Sequence, residues 1–178
     1  TQDILSLSAI DSRDFAQATH RTTADRPSGG GCGMIMKPER LAGAIRAAEK
    51  QAPLAKRILR TPQVRRFDQS VAQELASSDG LILVCGRYEG VDERICHEFI
   101  DDEISIGDYI LTGGELAAMV IIDGVTRLIP GVLGGKDSAE KDSFSDSVLE
   151  HAHYTRPRVF EELEVPRVLM SGNHKEME

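Results

Sequence analysis

Leu81-Ile82-Leu83-Val84-Cys85-Gly86-Arg87-Tyr88-Glu89-Gly90 begins with five apolar residues and ends in a glycine-bounded loop. Asp79-Gly80 stops whatever precedes it, and Gly86 closes the run. A short, unbroken apolar run bounded by turn residues reads as a strand covered on both faces, the usual condition of a parallel sheet. In open α/β sheets ligands bind at the carboxyl edge of the strands. Gly86 to Gly90 is therefore the first candidate binding loop.

Working outward, strand and helix patterns alternate. Ile4 to Ile10 alternates apolar and polar residues, predicting a half-buried strand. Asp11 to Ser28 is polar and aperiodic, and Asp25 to Gly33 is a glycine-rich loop by composition. Pro38 stands where a helix favours its first residue, and Leu41, Ile45 and Ala48 recur at helical spacing through Lys50. Arg57 to Thr61 predicts a short strand, and Asp68 an N-cap for a helix bearing Val71 and Leu75. Downstream, the pattern predicts a polar helix over Val91 to Ile100 and a strand over Ile104 to Leu111 with Gly107 inside it. An apolar helix over Leu116 to Ile122 is opened by Gly113-Gly114-Glu115. Gly131 to Ser147 is rich in Gly, Asp and Ser and reads as a linker. The fold class expected is α/β with a mainly parallel sheet.

Composition narrows the function. The 178 residues suit one domain, or one domain with an appendage. Charged residues make up 28%, and no apolar run approaches the ~20 residues of a spanning helix, so no membrane role is expected. A net charge of −8 excludes a simple basic coat for nucleic acid, though not a local patch. Lys56, Arg57, Arg60, Arg65 and Arg66 form the one basic cluster; it reads either as a solvated face or as a phosphate contact. Cys32, Cys85 and Cys96 are an odd count without a C-x-x-C pair, which argues against a disulfide scaffold and for a reducing cytoplasm.

Named motifs fail when checked. No G-x-G-x-x-G occurs. Gly135-Lys136 resembles the end of a P-loop, but Pro130 holds the first glycine position and Asp137 replaces Ser/Thr. His151 and His153 lack a third nearby ligand, so no metal residue is assigned. Without G-x-S-x-G there is no nucleophile elbow.

Longer strings are more specific. Leu83 to Arg94, Ser105 to Leu116, Arg127 to Gly134, Asp142-Ser143-Phe144, His153 to Pro157 and Leu169 to His174 together resemble the bacterial tRNA (guanine-N1)-methyltransferases of the SPOUT superfamily. The resemblance runs from about Ile4 to His174. It implies a SPOUT α/β fold with a deep C-terminal trefoil knot, acting as a homodimer with a shared active site. It implies S-adenosylmethionine as methyl donor and the anticodon stem-loop of tRNA as partner, with methylation of guanine N1 at tRNA position 37. Magnesium would assist without a dedicated site.

The domains this implies are a knotted donor-binding catalytic domain over 1–134, a mobile interdomain linker over 135–147, and a truncated start of the C-terminal tRNA-binding region over 148–178. A first strand and helix and a C-terminal helical domain of the family fall outside the sequence.

Carried over by resemblance, the donor pocket would use Thr61, Pro62 and Gln63, then Gly86, Tyr88 and Glu89, then Ile106, Gly107, Tyr109, Leu111, Gly113 and Gly114. Asp142 would be the general base on N1, and Arg127 would stabilise substrate charge. A carboxylate on N1–H can remove its proton in the transition state, and a guanidinium can offset charge growing on O6. Arg26, Arg87, Arg127 and Arg156 could line a locally positive groove.

The chain departs from the family in its donor loop and in its glycine-rich loop. Arg60-Thr61-Pro62-Gln63-Val64 stands where the family reads Leu-Ser-Pro-x-Gly, putting a charge at an expected apolar pocket and a β-branched residue where glycine is usual. Ser28 and Cys32 replace Tyr and Pro in the glycine-rich loop. Two alternatives stay open: a dimerisation and donor-binding core without turnover, or a SPOUT enzyme acting on other RNA.

Overall fold

In this computed structural model, residues 4–15, 22–61, 64–133 and 152–170 are described. The chain divides into two compact units, Thr1–Glu140 and Lys141–Glu178.

The first unit is built on a parallel sheet in the order β4-β3-β5. Central strand β3 (Lys56–Arg60) pairs Ile58 with Leu83 of β4 (Leu81–Val84), and Arg60 with Ile104 of β5 (Asp102–Ile104). Period-two alternation divides the apolar side chains between two cores. Leu59, Ile82 and Val84 face one side, with Met36, Leu41, Ile45 and Ile95. Ile58 and Ile104 face the other, with Val71, Leu75, Ile121 and Val125. Helices α1 (Pro38–Gln51) and α3 (Glu93–Phe99) supply the first core; α2 (Gln69–Ala76) and α4 (Glu115–Thr126) supply the second. Fully burying one such Leu or Ile contributes roughly 1.5–3 kcal/mol, so two filled faces fix the sheet between helical layers.

The helix ends follow local chemistry. Asp68 caps α2 by accepting from Val71 N–H at 2.9 Å, and Asp92 caps α3 by accepting from Arg94 N–H at 3.1 Å. Buried Arg40 of α1 donates to the Phe15 carbonyl at 2.6 Å, which ties the 3₁₀ turn Ser12–Phe15 to the helix. Helix α4 runs past the expected end at Ile122. Gly124 lies against the Phe67 ring, where a Cβ would be 3.1 Å from the ring carbons, so its missing side chain serves packing rather than termination.

Three expectations change. Ile4 to Ile10 forms no strand, and Ile4, Leu5 and Leu7 are exposed. Alternation stabilises a strand only when a neighbour supplies a ladder, and among the described residues none pairs with it. The strand expected over Ile104 to Leu111 is instead β5, which ends at Ile104. Beyond a single bridge from Ser105 to Arg66 the chain turns at Gly107 (φ +148°), leaving Ile110 82% exposed. The helix expected from Val91 starts at Glu93, because Val91 bridges to Met36. A short antiparallel pair, β1 (Ala24–Asp25) with β2 (Ile35–Met36), brackets the glycine-rich loop within a stretch that carried no periodic signal.

In the second unit, β6 (Val159–Phe160) and β7 (Leu163–Glu164) form a hairpin, followed by the one-turn helix α5 (Arg167–Met170). Glu161 and Glu162, both with positive φ, make its two-residue turn. The linker expected over 135–147 lies outside the described residues.

Candidate functional site

Parallel strands all point the same way, so the loops after β3, β4 and β5 emerge at one edge. Thr61 follows β3 and donates its N–H to the Ile104 carbonyl at 3.4 Å. Gly86 follows β4, and its carbonyl accepts from Gly114 N–H at 2.9 Å. Arg87 and Gly113 form an antiparallel bridge beside that bond. Gly114 has no room for a side chain: a Cβ there would stand 2.7 Å from Cys85 Cα and 3.0 Å from its carbonyl carbon. Two glycine loops remote in sequence are thus locked backbone to backbone.

Around this contact lie the other candidates. Tyr88 adopts φ +59°, a left-handed conformation costly for a residue with a Cβ, and its ring is 55% exposed. Gly107 is covered by the Tyr109 ring, whose Cε1 would be 2.5 Å from an added Cβ. Ser105 Oγ donates to the Gly107 carbonyl at 3.1 Å and accepts from its N–H at 3.2 Å, fixing that turn. Ile106 packs on the α2/α4 core, while Leu111 is exposed. Pro62 and Gln63 lie outside the described residues.

Sequence reasoning missed several participants. Gly33 lies against the Glu89 side chain, which a Cβ there would overlap. Glu89 N–H donates to the Met34 carbonyl and Met36 N–H to the Gly90 carbonyl, both at 3.0 Å, so the glycine-rich loop borders the site. The run Gly29 to Gly33 was the available signal, but nothing local said what it packs against. Arg87, expected in a positive groove, instead binds Glu115 at 2.9 and 2.6 Å. Burial opposes ionisation of Glu115, yet hydrogen bonds from its own N–H and from Arg87 outweigh it and hold the carboxyl below the usual range.

The basic cluster splits. Lys56 pairs with Glu74 (2.7 Å) and Asp102 (3.0 Å), and Arg57 with Asp101 (2.5 Å) and Glu49 (2.9 Å). Arg65 pairs with Glu74 and Asp102, and Arg66 with Asp108. Each of these four cations is paired with a carboxylate, which favours the solvated-face reading of the cluster over the phosphate contact. Arg60 turns inward: its Nε and Nη1 are buried without a hydrogen-bond partner. Burial depresses its pKa, against the pull of Cys85 and Glu115.

Of the two residues expected to do chemistry, only Arg127 is among the described residues, and it stands away from Gly114. Arg127 is the exposed C-cap of α4. At ~1.5 Å per residue, the 12-residue helix separates it from Gly114 by roughly 18 Å. Asp142 lies outside the described residues, and Arg156 belongs to the second unit. Among the described residues no three or more His, Cys, Asp or Glu side chains come together as a metal site would need, and no helix is long and apolar enough to cross a membrane.

Comparison with known proteins gives a consistent result. Residues 1–178 match the family model described as tRNA (Guanine-1)-methyltransferase TrmD. The chain is 56% identical over 173 residues to a tRNA (guanine-N(1)-)-methyltransferase of Desulfatibacillum aliphaticivorans, covering 97% of this chain and 66% of that protein. The corresponding protein of Geobacter sulfurreducens is 58% identical over 165 residues, 93% of this chain and 67% of its own. That of Klebsiella pneumoniae is 56% identical over 175 residues, 98% and 69%. The chain thus spans about two thirds of the length of the curated relatives it matches.

Proposed function

The chain belongs to the tRNA (guanine-1)-methyltransferase family, and from that premise we propose that it is the donor-binding core of an enzyme that methylates N1 of guanine 37, beside the tRNA anticodon. The observation that carries the reading is the locked contact of Gly86 with Gly114 at the carboxyl edge. Such a contact fixes the loops on either side of it, and recognition of an adenine edge by backbone groups requires loops held in place.

S-adenosylmethionine fits these residues. Gly86 and Gly90 leave close approach open to a flat ring, since a Cβ would meet nothing nearer than Val91 at 3.6 Å at the first and nothing within 4 Å at the second, and Tyr88 and Tyr109 are more than half exposed. When bound, this donor supplies an electrophilic methyl group on a sulfonium, so no residue need activate it. The protein's tasks are alignment, proton removal and charge stabilisation. In this reading Asp142 takes the N1 proton as the base becomes nucleophilic, and Arg127 faces the negative charge developing on O6.

The ~18 Å along α4 between Arg127 and Gly114 favours a site completed by a second protomer. An apolar stripe on α4 supports the same assembly: Leu116, Met119 and Val120 share one face and are 61%, 63% and 48% exposed. The trefoil knot and a cytoplasmic location go with the family reading. Incubating the purified chain with labelled donor and a tRNA transcript, then mapping the methylated atom by nuclease digestion and mass spectrometry, tests it. 1-Methylguanine at position 37, lost in Asp142→Ala, is expected. A methyl group on ribose or on another base position would reject the proposal.

A further inference from the structure

The cations on and just after β3 follow a rule that one of them breaks. Lys56, Arg57, Arg65 and Arg66 each meet a carboxylate. Arg60, the last residue of β3, meets none by hydrogen bond, and two of its three guanidinium nitrogens are sealed from water without a partner. Its third nitrogen, Nη2, packs over Gly114, only 2.6 Å from where a Cβ would stand. Glu115, the carboxylate whose charge acts on Arg60, accepts its side-chain hydrogen bonds from Arg87. Helix α4 begins at Gly114 with no side-chain cap. Among the described residues, two guanidinium groups and the ~+0.5 charge of a helix N-terminus therefore share the carboxylate of Glu115.

An unpartnered buried guanidinium is an unfavourable arrangement, and an apolar side chain of similar size would serve packing better. What it suits is an incoming anion, which a guanidinium binds with paired, charge-assisted hydrogen bonds. Its neighbours choose the anion. Thr61 follows Arg60, Gly86 follows Cys85, and Gly113-Gly114 opens α4; all four belong to the proposed donor pocket. S-adenosylmethionine bears one anionic group, the carboxylate of its amino-acid end.

We propose that Arg60 recognises the donor carboxylate and makes this pocket selective for donors that carry one. The inference rests on the donor reading above. Calorimetric titration of the purified chain with S-adenosylmethionine and with its decarboxylated analogue tests it without reference to turnover. The wild type should bind the decarboxylated form about tenfold or more weakly, the scale of a lost hydrogen bond between charged groups. Arg60→Leu should bring the two affinities to within about twofold, and Arg60→Lys, which keeps the charge but not the fork, should fall between them. Circular dichroism checks that both variants fold.

Equal discrimination in wild type and Arg60→Leu would overturn the assignment, whatever happens to absolute affinity. Arg60→Leu weakening tRNA binding while leaving the ligand ratio unchanged would also overturn it, assigning the guanidinium to RNA instead. Binding of neither ligand to the folded wild type would reject the donor reading itself, and this inference with it.

Discussion

At the scale of single residues, the site depends on what is missing from glycine and on what burial does to charge. Gly114→Ala would drive a methyl group into the Cys85 backbone, which cannot swing aside as a side-chain tip can. Overpacking of this kind costs about 1–3 kcal/mol, and the displaced loop should weaken donor binding by about tenfold or more. Thermal unfolding and calorimetry measure the two effects, and an alanine variant with wild-type affinity would show that the close approach is incidental. The cysteines give a second check. Burial foremost, with Glu103 and Glu93 adding to it, pushes the Cys96 thiol up to about 11, whereas Cys32 is exposed on the glycine-rich loop. The thiolate is the reactive form. At pH 8 alkylation followed by peptide mass spectrometry should therefore find Cys32 modified well before Cys96, with Cys96 catching up only as pH approaches 11. Comparable rates at pH 8 would contradict the burial.

At the scale of elements, the helices are held by caps and ion pairs that can be removed one at a time. Asp68→Ala removes the acceptor for Val71 N–H and should cost about 1 kcal/mol. Ile121→Ala empties a fully buried position on α4 and should cost about 2–5 kcal/mol. Denaturant titration reads both, and a smaller loss for Ile121 than for Asp68 would mean that the second core is not packed as described. Arg65 foremost, then Lys56, holds the Glu74 carboxyl down to about 2 from an ordinary 4.5. A depressed carboxyl stabilises the fold above its unfolded value and loses that contribution as pH falls from about 4.5 towards 2. The melting temperatures of wild type and Glu74→Gln should therefore differ at pH 7 and converge in acid; a gap independent of pH would refute the linkage. These elements were largely legible in the sequence, because Asp68, Pro38 and the run Leu81 to Val84 act through neighbours close in the chain. Ile4 to Ile10 misled because alternation says nothing about whether a partner strand exists. The end of β5 was overrun because Gly107 in an apolar stretch reads equally well as strand or turn.

At the scale of the whole molecule, the sequence was least explicit about which distant groups meet. The glycine loops were recognisable as candidates, but not the contact of Gly86 with Gly114, nor that Arg87 would be neutralised by Glu115. The two readings of the basic cluster stayed open in the sequence for the same reason, since its acids arrive from α1, α2 and the segment around β5. Only a three-dimensional reading shows that Arg127 and Gly114 stand at opposite ends of α4. If two copies pair through the stripe Leu116, Met119 and Val120 with their helices antiparallel, the Arg127 end of one approaches the Gly114 end of the other. A symmetric dimer then builds two sites, each drawing donor loops from one protomer and Arg127 from its partner. Met119→Glu should therefore convert a dimeric mass to a monomeric one in light scattering and abolish methyl transfer together with it. Mixed dimers make a sharper test. With donor held well below the Kd of Gly114→Ala, that variant and Arg127→Ala should each be nearly inactive alone. When equal amounts are unfolded and refolded together, half the dimers are mixed, and in each of those one site has two intact halves. Activity should return to about a quarter of wild type if the site is shared. If both residues serve a site within one protomer, every site in the mixture keeps one defect, and the mixture should be as inactive as its components.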